Sequence, residues 1–156
     1  MSSVPEPIGR FLAHKRIAVA GVSRGGGQPA NAIAQRLREA GYQVFAVNPN
    51  AGEIDGQPCY PDLRSIPGGV EAVVAATHPK ATDRIVDECA ALGIKYVWMH
   101  RSFGQGSVSK DAVRSGRERG LTVIDGACPM MFVKPDVAHR CIRWILRVTG
   151  GLPAQA

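Results

Sequence analysis

The segment Arg16–Gln28 places a short apolar run, a glycine-rich loop and the start of a helical pattern in direct succession. The apolar run ends at Gly21, and the helical pattern opens near Pro29. In a strand–loop–helix unit, the loop N–H groups turn inward and the positive end of the helix dipole favours an anion. The segment therefore predicts an α/β unit that binds a phosphorylated ligand.

The loop matches a relaxed form of the dinucleotide fingerprint, with Gly21, Ser23 and Gly26 at its first, third and sixth positions. Serine is small enough for close approach of a phosphate, and its hydroxyl can donate to one. Arg24 adds a cationic donor, and the run Gly25–Gly27 allows consecutive amides to wrap an oxyanion. The alternative interpretation is a plain connecting loop, but the flanking elements fit the motif.

The end of the second predicted strand argues against a nicotinamide cofactor. Residues 42–47 form that strand, and the tripeptide Asn48–Asn50 follows it. An NAD site normally has a carboxylate at this tip, and an NADP site a cation. The first carboxylate after the strand is Glu53, and no Arg or Lys occupies the tip. The pattern therefore disfavours a dehydrogenase.

Helical patterns end in a glycine and pass directly into an apolar run at Gly41, Gly93 and Gly120. This alternation predicts right-handed crossovers and a parallel sheet. We predict an α/β, Rossmann-like, doubly wound fold with a mainly parallel five-stranded sheet and helices on both faces. The predicted strands are residues 16–20, 43–47, 70–76, 95–99 and 121–125, and the predicted helices are residues 29–40, 79–92, 107–119 and 136–149.

Residues 48–69 form a long irregular connection on the ligand side of the sheet, with a turn at 54–57 and an extended lead at 60–63 into a short helical piece. The first dozen residues fit either a short helix or a loose arm. In the helix 136–149, an apolar stripe lies opposite three arginines and is predicted to pack against the domain. The stripe comprises Val137, Cys141, Ile145 and Val148, and the arginines are Arg140, Arg143 and Arg147.

Length and composition predict one domain over residues 1–156, since 156 residues at 45% hydrophobic suffice for a core. The lack of a long apolar run or signal peptide predicts no membrane association and a cytoplasmic location. The four cysteines show no metal-ligand spacing and are expected to be reduced, with Cys89 and Cys141 in the core. The net charge of +6 is spread over helix surfaces without an aromatic ladder, which disfavours nucleic-acid binding.

A set of short motifs along residues 14–130 resembles the coenzyme A-binding domain family. The motifs are Gly21–Arg24, Asn31–Ile33, Gly41–Tyr42, Val47–Pro49, Glu53–Gly56, Cys59–Leu63, Ile66–Pro67, Trp98–Met99 and Cys128–Pro129. Such domains occur as small stand-alone proteins. They also form the N-terminal nucleotide-binding domain of the succinyl-CoA synthetase α subunit and of ADP-forming acyl-CoA synthetases.

The resemblance implies that the ligand is coenzyme A or an acyl-CoA, whose ribose carries a 3′-phosphate. The implied binding residues are Gly21, Ser23, Arg24, Gly25, Gly26, Gly27 and Gln28 for the phosphates, Val47, Asn48 and Pro49 beside the adenosine, and Thr77, His78 and Pro79 on the opposite wall. Two departures stand out. Asn50 occupies a place where many relatives carry Lys or Arg, and His100 one where a Gln is common.

The ligase relatives use a phosphorylated histidine in a separate domain, and this chain is too short to contain such a domain. We therefore expect a non-catalytic binding protein, with no catalytic residues and no metal ligands. The alternative is a small enzyme, an NAD(P)-dependent reductase or an acyl-transfer protein, that uses His100 and Cys128 at the ends of two predicted strands. A homodimer and a separate protein partner both remain open.

Overall fold

The computed structural model describes residues 4–153, in which a seven-stranded sheet carries helices on both faces. The strands are β1 (Arg16–Ala20), β2 (Gln43–Val47), β3 (Glu53–Ile54), β4 (Gln57–Tyr60), β5 (Ala72–Ala75), β6 (Tyr96–Met99) and β7 (Thr122–Asp125). The helices are α1 (Glu6–Leu12), α2 (Pro29–Glu39), α3 (Pro79–Leu92), α4 (Lys110–Glu118) and α5 (Val137–Val148), with a 3₁₀ turn at Pro129–Met131. The strand order is β3-β4-β2-β1-β5-β6-β7, and every neighbouring pair except β3 with β4 is parallel.

The doubly wound α/β prediction is confirmed, and the five predicted strands are present within two residues at each end. The sheet has two further strands that were not predicted, β3 and β4. They form a hairpin at the predicted turn, where Asp55 and Gly56 have φ values of 53° and 72°. β4 joins the sheet because Cys59 pairs with Ala46 of β2. The hairpin therefore extends the sheet at the edge beside β2.

Side chains of the parallel strands alternate between two cores. In β1, Ile17 and Val19 face the layer of α1, α2 and α5, whereas Ala18 and Ala20 face the layer of α3 and α4. Trp98 of β6 is fully buried on the first side, and its Nε1–H donates to the carbonyl oxygen of Gly126 at 2.8 Å. Both faces of the sheet are thus covered, as the apolar strand sequences predict.

The N-terminal segment is a helix, α1, because it buries Ile8 and Phe11 against the sheet. The predicted helical piece after residue 63 is wrong, since residues 61–69 form turns. The N–H groups of Leu63 and Arg64 donate to the carboxylate of Glu88, at 3.0 and 3.3 Å. These amides are therefore paired with a side chain of α3 rather than with a helical carbonyl.

The packing predicted for α5 is wrong. The helix faces the domain with Ile142 and Leu146, which pack against the first core. The predicted stripe is exposed to solvent, including Val137, which is 75% accessible, and Val148, which is 67% accessible. Ile142 and Leu146 lie about a third of a turn away from that stripe, so α5 is apolar on two sides and only one is covered. No helix within residues 4–153 combines the length and the apolar character that crossing a bilayer requires.

The prediction that Cys141 lies in the core is wrong, because Cys141 is exposed. The same prediction for Cys89 is confirmed, and Cys59 and Cys128 are buried as well. We therefore expect one thiol per chain to react rapidly with a disulfide reagent such as DTNB at pH 8, and the others to react only after unfolding. Cys141→Ser should abolish the rapid phase. A rapid phase that survives this substitution would show that a core cysteine is accessible.

Candidate functional site

The glycine-rich loop runs from the carboxyl end of β1 to the amino end of α2. Its first residue is held against β2, because the N–H of Gly21 donates to the carbonyl oxygen of Val47 at 3.2 Å. Asn31, in the first turn of α2, fixes the middle of the loop. Its Nδ2 donates to the Ser23 carbonyl oxygen at 2.7 Å, and its Oδ1 accepts from the Ser23 N–H at 3.0 Å. Asn31 is thus an anchor that the predicted site did not include.

The loop amides differ in how far they are already paired. The N–H of Gly25 donates to Ser23 Oγ at 3.2 Å, and the N–H of Gly26 donates to the Ser23 carbonyl oxygen at 3.4 Å. The N–H groups of Gly27 and Gln28 make no hydrogen bond within residues 4–153 and lie at the amino end of the 11-residue α2. Unpaired amides at the amino end of a helix attract anions. These two are the loop amides best prepared for a phosphate.

The tip of β2 is tied to the loop by Asn48. Its Nδ2 donates to the carbonyl oxygen of Val22 at 2.8 Å, and its Oδ1 accepts from the N–H of Asn50 at 2.8 Å. Both ends of the Asn48 amide are therefore used to fix the backbone of the loop and the tip relative to each other. Asn48 borders the candidate site as a positioning residue.

A first cavity, of about 330 Å³, lies between the tip of β2 and α3 and is called the α3-side cavity below. It brings together five of the predicted site residues, Gly21, Val47, Asn48, Pro49 and Thr77. Its other walls come from the turns after β4 and from α3, and include Asp62, Leu63, Arg84, Ile85 and Glu88. The sequence placed residues 48–69 on the ligand side, and the resemblance placed the start of α3 on the opposite wall. Neither gave a signal for the side chains farther along α3.

A second cavity, of about 830 Å³, starts at the amino end of α2 and is called the α2-side cavity below. It contains the predicted residues Gly26, Gly27 and Gln28. Its further walls come from α2, the β3–β4 hairpin and the loops after β6 and β7, and include Arg38, Ile54, His100, Ser102, Cys128 and Met130. The glycine loop thus contributes to both cavities, with Gly21 in one and Gly26–Gln28 in the other.

Five predicted residues line neither cavity. His78 and Pro79 begin α3, where the His78 Nδ1 accepts a hydrogen bond from the N–H of Lys80 at 3.3 Å. Ser23 and Gly25 are hydrogen-bonded to each other within the loop, where the N–H of Gly25 donates to Ser23 Oγ. Arg24 is exposed, and its Nη2 lies 3.4 Å from the carbonyl oxygen of Asn50.

His100 and Cys128, the alternative catalytic pair, do line one cavity as predicted. Ser102 lies beside both, with its Oγ 3.4 Å from the Nε2 of His100. Burial raises the pKa of the Cys128 thiol to about 11, against a lesser lowering by hydrogen bonds from Met130 and Ser102. Burial, aided by His139, lowers the pKa of His100 below its ordinary value. At neutral pH the pair is therefore a thiol and a neutral imidazole, which is a poor nucleophilic arrangement.

The lowered pKa of His100 predicts a pH dependence of stability. In the unfolded chain His100 takes up its proton near pH 6.5, whereas in the folded chain it does so only at lower pH. The free energy of unfolding should therefore decrease as the pH falls through about 6.5, until the folded histidine is protonated as well. Urea titrations between pH 7.5 and 5 should show a smaller decrease for His100→Gln than for the wild type. An identical decrease in both proteins would contradict the shift.

Comparison with known proteins finds a matching family model and relatives of similar sequence. A family model described as "CoA binding domain" matches residues 15–134, which include both cavities but not α5. The ADP-forming acetate–CoA ligase II of Archaeoglobus fulgidus is 37% identical over 83 residues, which are 52% of this chain and 12% of the ligase. The chain thus matches about an eighth of the length of that curated relative.

Relatives of similar size also exist. The protein YneT of Bacillus subtilis is 27% identical over 114 residues, covering 73% of this chain and 82% of YneT. The structure of a hypothetical protein from Pyrococcus horikoshii OT3 superposes with a TM-score of 0.72 and 30% identity, covering 83% of this chain and 94% of the other. The architecture therefore occurs both as a small protein and as part of a longer ligase.

Proposed function

The chain belongs to the CoA binding domain family, and on that premise we propose that it holds coenzyme A across the glycine loop, with the adenosine on one side and the pantetheine arm on the other. Binding of coenzyme A follows from the family. Our proposal assigns the pyrophosphate to the loop, the adenosine to the α3-side cavity and the pantetheine arm to the α2-side cavity. The observation that supports it most is that one loop contributes Gly21 to the α3-side cavity and the unpaired amides of Gly27 and Gln28 to the α2-side cavity.

The pyrophosphate is assigned to the amino end of α2. The N–H groups of Gly27 and Gln28 lack partners within the described residues, and the helix dipole adds a partial positive charge there. A diphosphate bound at this point receives backbone hydrogen bonds, which need no side-chain ordering. Asn31 and Asn48 support this arrangement because they fix the loop from two sides.

The adenosine is assigned to the α3-side cavity. The walls of this cavity combine apolar side chains, such as Val47, Leu63 and Ile85, with a strand tip that bears no carboxylate. Its volume of about 330 Å³ lies within the ordinary range for small-ligand sites. In open α/β sheets the ribose lies at the tip of the second strand, which here is Asn48–Asn50.

The pantetheine arm is assigned to the α2-side cavity, which starts at Gly26–Gln28 and reaches His100, Cys128 and Met130. A long, flexible arm suits a cavity that is open along one side of a helix. Because the thiol of Cys128 is protonated and the imidazole of His100 is neutral at pH 7, we propose a non-catalytic role for this end of the site. The protein would then act as a carrier, a sensor or a subunit.

An enzyme that uses His100 and Cys128 is the second candidate function, because the two side chains share a cavity with Ser102. If this second function is correct, the wild type turns over an acyl-CoA or a nicotinamide cofactor. Cys128→Ala or His100→Ala should then lose that turnover while retaining ligand binding. Any such turnover would contradict the non-catalytic role and leave the binding assignment intact.

Calorimetric titration with coenzyme A, acetyl-CoA, NAD and NADP tests the binding proposal. We expect coenzyme A or acetyl-CoA to bind at least tenfold more tightly than either nicotinamide nucleotide, since the β2 tip lacks the carboxylate of an NAD site. Tight binding of NAD or NADP alone would overturn the proposal. Mass spectrometry of small molecules that co-purify with the protein provides an independent check.

A further inference from the structure

The proposed adenosine site leaves the 3′-phosphate of coenzyme A without an obvious partner. This group carries close to two negative charges at neutral pH, and it belongs to the ribose, beside the tip of β2. The residues of that tip, Asn48, Pro49 and Asn50, are all uncharged. A cation must therefore reach the tip from another element if the phosphate is to be recognised.

The side chain that reaches the tip is Arg24 of the glycine loop. Its Nη2 lies 3.4 Å from the carbonyl oxygen of Asn50, so the guanidinium spans the gap between the loop and the end of β2. This contact is at the long end of the hydrogen-bond range, and a stronger acceptor can replace it. Arg24 is exposed and forms no ion pair with any carboxylate in residues 4–153. Its charge is thus available to a ligand.

The backbone beneath Arg24 is held in a fixed relation to the β2 tip. Asn48 bonds to the carbonyl oxygen of Val22, and Asn31 bonds to both backbone groups of Ser23. The two residues that precede Arg24 are therefore each tied to a neighbouring element. A guanidinium at the end of a fixed backbone offers two parallel N–H groups to a phosphate and orders fewer bonds on binding.

We propose that Arg24 binds the 3′-phosphate of coenzyme A and so distinguishes coenzyme A from dephospho-coenzyme A. This inference rests on the proposed function, because it requires the adenosine to lie in the α3-side cavity. It gives Arg24 a role separate from that of the loop amides, which bind the pyrophosphate common to both ligands. The substrate class of the site is therefore a nucleotide with a phosphate monoester on its ribose.

Arg84 provides the matched control. It is also an exposed arginine without an ion pair in the described part of the chain, and it lines the same cavity, but from α3 rather than from the glycine loop. If general positive charge around the cavity attracts the ligand, removal of either arginine should weaken binding similarly. If the guanidinium at the β2 tip binds the 3′-phosphate, only removal of Arg24 should reduce the preference for coenzyme A over dephospho-coenzyme A.

The experiment is calorimetric titration of the wild type, Arg24→Gln and Arg84→Gln with coenzyme A and with dephospho-coenzyme A. We expect the wild type to prefer coenzyme A by about tenfold or more, the scale of one charge-assisted pair. Arg24→Gln should lose most of that preference while binding dephospho-coenzyme A within twofold of the wild type. Because Arg84 lines the adenosine cavity, Arg84→Gln should change the affinity for both ligands by the same factor and so retain the preference. Arg24→Lys should keep part of the preference that Arg24→Gln loses.

Three results would overturn the inference. The first is a preference that persists in Arg24→Gln, and the second is a preference that is lost in Arg84→Gln instead. The third is an equal loss of affinity for both ligands in Arg24→Gln, as general charge attraction or a pyrophosphate contact would cause. Failure of the wild type to bind either ligand would refute the proposed function, and with it the inference. Equal melting temperatures of the three proteins would confirm that the substitutions act on binding alone.

Discussion

Gly21→Ala is expected to lower the free energy of unfolding by about 3 kcal/mol or more. Gly21 has a φ of +102°, which side chains other than glycine rarely adopt, and an added Cβ would lie 2.2 Å from the carbonyl oxygen of Ala76. That oxygen belongs to the chain leaving β5, and the Ala76 N–H donates to the Ala20 carbonyl oxygen at 3.0 Å. The clash therefore cannot be relieved without disturbing the β1–β5 pairing. Urea unfolding measures the effect.

The matched control is Gly25→Ala in the same loop. A Cβ on Gly25 would have only the Ser23 Oγ near it, at 3.8 Å, which is an ordinary van der Waals distance. Its backbone conformation also lies outside the region that disfavours side chains. Gly25→Ala should change the free energy of unfolding by about 1 kcal/mol or less. Equal stability of the two variants would show that the approach of Gly21 to β5 is not tight in solution.

The sequence predicted the part of the fold that depends on local pattern. β1 and β2 have the predicted bounds, Arg16–Ala20 and Gln43–Val47, because each is an apolar run followed by the residues expected at a strand end. β3 and β4 were missed because they have two and four residues and exist through pairing with each other and with β2. Pairing between distant segments leaves no periodic signal in so short a run.

The helix α5 shows a second limit of pattern analysis. Its periodicity correctly predicted a helix, but the chain places apolar residues on two sides, one with Ile145 and Val148, the other with Ile142 and Leu146. The hydrophobic pattern does not decide which side packs, because burial depends on what the neighbouring elements offer. Here Met131 and Phe132, in and after the 3₁₀ turn, belong to the core that receives Ile142 and Leu146.

In the candidate site too, the segments with a local sequence signal were predicted and those that depend on packing were not. The glycine motif and the family resemblance predicted the loop and the β2 tip as binding segments, and both directly follow strands at the carboxyl edge of a parallel sheet. The walls supplied by helix faces, such as Arg84 and Glu88 of α3 or Arg38 of α2, depend on the rotation of each helix about its axis. His78, predicted to line the pocket, caps α3 and lines neither cavity, so its contact with the ligand stays a prediction.

Gly26→Val is expected to lower the affinity for coenzyme A at least 50-fold while leaving the fold in place. Gly26 lines the α2-side cavity, and an added Cβ would meet no atom of the protein within 4 Å. The space over Gly26 is therefore open, and in the proposed complex the ligand occupies it beside the unpaired amides of Gly27 and Gln28. A branched side chain there would keep the phosphates from approaching the backbone. Calorimetric titration with coenzyme A measures the loss.

The control must carry the same backbone strain without touching the ligand. Gly26 has a φ of +62° and Gly120 a φ of +79°, and neither has an atom within 4 Å of an added Cβ. Gly120 precedes β7 at the opposite, amino edge of the sheet, so Gly120→Val should destabilise the fold by a similar few kcal/mol while coenzyme A still binds. If Gly26→Val binds coenzyme A as tightly as Gly120→Val does, the pyrophosphate does not lie on this loop. The assignments of the adenosine and the 3′-phosphate would then fail as well, because both assume that the pyrophosphate is bound at the glycine loop.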